Sequence, residues 1–351
     1  MCIRTPFDPA FHAGLPLPLA RLYALAYRAR TERERHDRAL HLAEASVKLF
    51  AAAVIGRYRS LGIRSEPVDA ALEKLVMPAL GHWSKVARET LFFLGNGHDA
   101  RSWAGRALAF SRAPFSGSEP YRALEILARL AGCAKDVEKD PLEFLSILPA
   151  YRNAMSSAHG GIKADRERYE EGAWALLELV KGVHAGGGWL AGARLALAEE
   201  VLFDSSGGIK MMTLDLSGPS AVRRFELEDG DVRNGILPGR LYLETPSGER
   251  IPIHPFLVYR SAGVLDEILF LNRAREGAHG IQFLCYTTGE LHTPATELES
   301  AVVALDVVAF LEWVRAPAAE EGGSRLIPFP GLPHPVLANP AAGRVEEGPA
   351  A

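Results

Sequence analysis

The chain has 351 residues, 48% hydrophobic and 23% charged, with a net charge of −4 at pH 7. This is the balance of a protein that buries a substantial core, and the length suggests two domains. It excludes a globally basic nucleic-acid binder, and three cysteines (Cys2, Cys133, Cys285) without ligand spacing exclude a disulfide framework and a zinc site.

The N-terminus, MCIRTPFDPAF, lacks an apolar signal core, and no apolar run approaches 18 residues. The expected location is the cytoplasm, with no membrane partner. Residues 17–200 have the pattern of helices. LPLARLYALAYRA (17–29) places Leu19, Leu22, Leu25 and Ala26 on one face, with Pro18 suited to its first turn. Thr31 and Glu34 form a capping-box pattern ahead of a long helix over 32–62, which Gly62 stops. Its apolar stripe includes Leu40, Ala43, Val47, Phe50 and Val54, and Glu44 and Lys48 form an i,i+4 pair in the favourable order.

A further amphipathic stretch covers 68–95, broken or kinked at Pro78 and Gly81, and 96–102 is a loop. Helices are expected over 118–135 and 166–184, and a glycine-rich turn followed by a helix over 184–201. Beyond residue 200 the period changes. EVLFD, IKMMTLDL, VRRFELE, GRLYLET, RIPIHPFLVY, DEILFLN and IQFLCYTTGELH are short β-rich stretches, with turn signals at 229–230, 234–235 and 247–248. A helix over 295–315, with Leu298, Val302, Leu305 and Val308 at helical period, closes this part. Residues 317–351 are rich in Pro, Gly, Ala and Glu and are expected to be a loosely ordered tail. The fold class is therefore α+β. A helical domain (1–200) precedes a smaller antiparallel β-rich domain with a closing helix (201–316) and the tail (317–351).

Several familiar motifs are absent or misplaced. GGGWLA (186–191) follows a helix rather than a strand, which is the wrong context for a dinucleotide site. There is no phosphate loop, HExxH or GxSxG. Trp83 is expected in the core, His82 as a capping or packing residue and His254 at a strand end; these histidines and His292 lack metal-ligand partners. No metal and no cofactor is expected.

One stretch carries chemistry: YRNAMSSAHGG (151–161). An Arg followed five to seven residues later by a His is not informative by itself. With 31 arginines and 11 histidines, about three such pairs arise by chance, and the chain has four: Arg30/His36, Arg35/His41, Arg152/His159 and Arg273/His279. Context separates them. The first two lie at the start of a charged helix face, where solvation is expected, and the last in a loop between strands. Arg152/His159 lies on a short apolar helix expected to begin near Pro149. Seven residues turn about 700°, about 20° short of two full turns, so Arg152, Ser156 and His159 share a face. Small residues leave room beside them, and Gly160 and Gly161 stop the helix.

These residue types suit metal-free RNA cleavage. The 2′-hydroxyl needs a base, the leaving 5′-oxygen an acid, and the phosphorane a positive donor. His159 titrates near neutrality, Arg152 holds phosphate through parallel donors, and Asn153 orients either group. One His does not readily serve as acid and base together, so a two-fold dimer that brings two such helices together is expected.

With its Asn after the Arg and its Gly after the His, the stretch resembles the RN-x5-HG form of the motif of HEPN-domain ribonucleases of abortive-infection and toxin systems. HDRALHLAEASVKLFAAA also resembles the long second helix of such domains. The resemblance covers roughly residues 17–200. It implies a helical bundle, a homodimer across the motif helices and metal-independent endoribonuclease activity on RNA, with Arg152, Asn153 and His159 as catalytic residues. The β-rich domain would then sense a regulatory protein or a small-molecule trigger. The alternative is a non-catalytic dimeric sensor or scaffold of a bacterial signalling or defence system, since some HEPN domains do not cleave RNA.

Overall fold

In the computed structural model, Thr31 begins the longest helix as the capping pattern predicts. Its hydroxyl accepts from the Glu34 N–H at 3.1 Å, and the Glu34 carboxylate reaches back to the Arg30 N–H at 3.0 Å. The structure describes residues 4–98, 102–133, 137–155, 165–203, 209–219, 222–227, 237–262, 265–274, 280–293 and 298–316.

The helical part comprises α1 (Pro9–Gly14), α2 (Leu17–Arg28), α3 (Glu32–Leu61), α4 (Glu66–Leu72), α5 (Leu80–Phe93), α6 (Trp103–Arg112), α7 (Ser118–Leu130), α8 (Pro141–Met155) and α9 (Arg166–His184). Helix α3 ends where Gly62 takes up a left-handed φ of 66°. Every residue from Leu42 to Gly56 is buried, because α2, α5, α9 and the β-rich part pack around this segment. It is long and apolar enough to cross a membrane by composition, but 89% of that apolar window is buried within the fold. The aromatic centre lies beside it, where Phe50 stacks on Trp189 with ring centroids 4.7 Å apart and Phe144 on Trp189 at 5.9 Å.

Two local expectations are corrected here. Helix α8 begins at Pro141 and carries Pro149 inside it rather than at its start. The proline removes one backbone donor, but Phe144, Leu145, Leu148 and Tyr151 are buried on either side of it and hold the helix together. Helix α6, which no pattern in the sequence announces, is capped by the Ser102 hydroxyl accepting from Ala104 N–H. The segment expected to be helical after the glycine turn is instead strand β1 (Arg194–Phe203). Its Leu, Ala and Glu favour a helix, but both edges of β1 are paired in a sheet, and pairing overrides weak propensity.

The remaining strands are β2 (Ile209–Leu216), β3 (Val222–Leu227), β4 (Leu241–Glu244), β5 (Arg250–Pro252), β6 (Leu257–Ala262), β7 (Leu265–Ala274), β8 (Ile281–Leu284) and β9 (Leu291–His292), followed by α10 (Leu298–Arg315). Two antiparallel sheets form, in the orders β3-β2-β1-β4-β5 and β6-β7-β8-β9. Strand β1 is central in the first, with Leu197 opposite Leu214 on one side and Leu195 opposite Leu243 on the other. The β4–β5 hairpin turns at Gly248, whose φ of 78° a side chain rarely adopts. The fold is thus α+β, with the helices mostly N-terminal and the sheets and closing helix C-terminal.

Helix α10 is present, but its buried face is not the one expected. Leu305 is 64% exposed, whereas Asp306, Val307, Phe310, Leu311 and Val314 are buried. Phe310 packs edge-on to Phe256 at 4.8 Å, and Arg64 donates to the Trp313 and Val314 carbonyls at 2.7 and 3.0 Å, satisfying the end of the helix. One cluster of buried apolar side chains runs from Leu15 in the helical part to Val314 in α10. Helix α3 packs closely on β5 at Gly56, where any Cβ would lie 2.0 Å from the Pro252 carbonyl oxygen. Expectations for the tail (317–351), and for turns at 229–230 and 234–235, fall outside the described residues.

Candidate functional site

Arg152 and Asn153 lie in the last turn of α8, whose buried face presents Leu148 and Tyr151 to the bundle. The helical period turns the next two positions outward, so Asn153 is exposed and the Arg152 side chain retains 41% of its accessible surface. His159, with Ser156, Gly160 and Gly161, lies outside the described residues. The structure therefore places two of the three expected site residues side by side.

Arg152 Nε donates to Glu44 Oε1 at 2.9 Å. The other carboxylate oxygen, Glu44 Oε2, accepts from the Tyr286 hydroxyl at 3.0 Å. Tyr286 belongs to the turn between β8 and β9, which Gly289 closes by donating to the Cys285 carbonyl at 2.7 Å. One turn of α3 beyond Glu44, the Lys48 ammonium sits 5.1 Å above the Tyr286 ring and 5.9 Å from the Trp83 ring. His41, one turn before Glu44, brings its ring to within 5.5 Å of Tyr286. The site is thus assembled from three distant parts of the chain: the middle of α3, the end of α8 and a turn of the second sheet.

Burial disfavours the charged forms of Lys48, Tyr286 and His41. Burial pulls the Lys48 ammonium down to about 8, with Arg152 acting in the same direction and Glu44 opposing both. Burial, and then the Glu44 charge, hold the Tyr286 phenol well above its ordinary value, so it remains a donor. Burial also lowers His41. A carboxylate held by two donors beside a buried lysine is a low-dielectric charge cluster, in which removing Glu44 would leave the Lys48 ammonium poorly compensated.

Glu44 and Lys48, expected as a favourable i,i+4 pair along the helix, are both buried, and Tyr286 is not a candidate in the sequence. Both charged residues sit in LHLAEASVKLFAAAVIG, whose apolar residues occupy every face of a helix, and a charge in such a stretch has no solvent face to occupy. That signal identifies Glu44 and Lys48. Nothing local identifies Tyr286.

The other Arg–His pairs are corrected by burial. His36 is only 2% exposed and shares a 2.7 Å hydrogen bond with the Tyr151 hydroxyl. Gly172 makes room for that hydroxyl, since a Cβ there would lie 2.0 Å from it. Arg35 lies over the Trp174 ring at 5.2 Å. The start of α3 is therefore a packed face and not a solvated one, because α9 covers it. His279 lies outside the described residues.

His82 caps α5 by accepting from the Ala79 N–H at 3.3 Å, and Trp83 is fully buried, as expected. His254 follows the end of β5 and donates from Nε2 to Asp306 Oδ2 at 2.7 Å, which also accepts from Arg240 Nη2 at 2.7 Å. This buried ion cluster ties α10 to the sheets. Among the described residues, no group of three or more His, Cys, Asp or Glu side chains could hold a metal ion.

The chain matches no protein-family model, no curated protein and no solved structure.

Proposed function

We propose that the protein is a HEPN-type, metal-independent endoribonuclease of a bacterial defence or toxin system, acting as a homodimer with a composite site of Arg152, Asn153 and His159. The observation that supports it best is how Arg152 is held. Its Nε–H is fixed by Glu44, while the Nη1 and Nη2 edge has no partner among the described residues and the side chain stays half-exposed. A guanidinium oriented through Nε in this way presents its parallel donors to a phosphate. Asn153 is exposed at the adjoining position.

In this reading Arg152 stabilises the charge that develops on the phosphorane, and Asn153 holds a phosphate oxygen. His159 of one protomer takes the 2′-hydroxyl proton, while the second copy protonates the leaving 5′-oxygen. Tyr286 holds Glu44 from behind through its hydroxyl, and neither it nor Lys48 touches the substrate. The β-rich part would bind the trigger, a regulatory protein or small molecule.

The test is incubation of wild type, Arg152→Ala and His159→Ala with total RNA in EDTA. The expected result is cleavage by wild type alone, leaving 2′,3′-cyclic phosphate ends, with a dimer by sedimentation. Cleavage by all three proteins, or by none of them, refutes the activity. One observation favours a second reading, that of a non-catalytic sensor or scaffold: Glu44 already neutralises much of the Arg152 charge at 2.9 Å. A dimer with no cleavage would support that reading.

A further inference from the structure

The turn carrying Tyr286 is far from α8 in sequence, yet it is seated on the same carboxylate as Arg152. Tyr286 and Arg152 take the two oxygens of Glu44, at 3.0 and 2.9 Å. A donor on each oxygen restricts how the carboxylate can turn, and with it the guanidinium edge that donates to it. The turn is itself fastened to α3, because Arg38 Nη1 donates to the Thr287 carbonyl at 3.2 Å. Its position also sets the ring on which Lys48 rests.

We propose that Tyr286 is a positioning residue for Arg152, acting through Glu44, and that the β6–β9 sheet thereby sets the orientation of the arginine that meets the phosphate. The part of this inference that concerns phosphate rests on the ribonuclease reading. The positioning itself does not. A ligand that displaces the 285–289 turn acts on Arg152 without touching it, which gives the second sheet a physical route to the helical site.

The experiment has two readouts. The first is solvent exchange of the Arg152 Nε–H proton in 1H–15N spectra, with the resonance assigned by its loss in Arg152→Lys. Tyr286→Phe keeps the ring over Lys48 and removes only the hydroxyl. It is expected to speed this exchange about tenfold, the size of effect a lost hydrogen bond to a charged group produces. The second readout is RNA cleavage. Tyr286→Phe is expected to lower kcat about tenfold with KM within twofold, because Arg152 acts on charge that develops in the transition state. In a Glu44→Gln background the same substitution is expected to change neither quantity further.

Unchanged Arg152 Nε–H exchange in Tyr286→Phe overturns the proposal, whatever the activity. So does an undiminished effect of Tyr286→Phe in Glu44→Gln. If wild type cleaves no RNA, the ribonuclease reading fails alone and the exchange measurement still decides the positioning. Should Tyr286→Phe not fold, Arg38→Ala loosens the same turn from α3, and it too is expected to accelerate the exchange. No acceleration there overturns the proposal as well.

Discussion

Lys48 offers the sharpest test of the buried charge cluster. Its side chain lies in a residue only 4% exposed, and burial lowers its ionisation from 10.5 to about 8. In the unfolded chain the ammonium keeps its ordinary value, so between pH 8 and 10.5 the unfolded state binds more protons than the folded one. Stability therefore rises with pH across that window, and the charged form costs most below pH 8. At about 1.4 kcal/mol per pH unit the cost at pH 7 is about 3 kcal/mol. Lys48→Met removes it while keeping the apolar stem against Trp83 and Tyr286, and forfeits about 1 kcal/mol of cation–π attraction. Glu44 keeps its Arg152 and Tyr286 donors, so no uncompensated carboxylate results. The expected outcome is a protein more stable by about 2 kcal/mol at pH 7, with an advantage that declines by about 2 kcal/mol by pH 9.5. Urea unfolding of both proteins at several pH values measures this. A variant less stable than wild type at pH 7, or a difference that does not change with pH, would show that burial of the Lys48 charge carries no such cost.

Two further substitutions probe how the layers meet. Gly56→Ala drives a methyl onto the Pro252 carbonyl of β5, and the forced separation outweighs the gain of about 1 kcal/mol in helix propensity. A net loss of about 2 kcal/mol is expected, while Gly14→Ala, where a Cβ meets nothing within 4 Å, serves as the control in the same urea titration. Arg64→Ala removes the donors that satisfy the Trp313 and Val314 carbonyls, together with the ion pair to Asp69 at 2.8 Å. A loss of about 2 kcal/mol is expected by thermal unfolding, with earlier proteolysis within α10. Arg64→Lys is expected not to restore it, since an ammonium does not span the three acceptors as a planar fork does.

Much of the helical part was legible because its signals are local. Thr31 and Glu34 mark the start of α3, and Gly62 marks its end, through hydrogen bonds within one turn and one left-handed φ. Pro78 separates α4 from α5 through the loss of a single donor. The change of period after residue 200 likewise announces the sheets. Where the expectation failed, a distant partner decided. Arg194–Phe203 became a strand because β2 and β4 pair with both its edges. Pro149 remained inside α8 because residues on both sides of it are buried. The stripe of α10 was misassigned because Asp306, polar in sequence, is drawn inward by Arg240 and His254.

The same division applies to the site. Read from the chain alone, an Arg–Asn pair lies on a short apolar helix, a long helix with an apolar stripe covers 32–62, and helices precede strands. Each of these follows from spacing along a chain whose local period the backbone imposes. Packing in three dimensions is what holds Arg152 through Nε, buries Glu44 and Lys48 together and brings Tyr286 onto the group. Those facts depend on three segments meeting across a separation of 242 residues between Glu44 and Tyr286, and no local rule of hydrogen bonding or helical period extends that far.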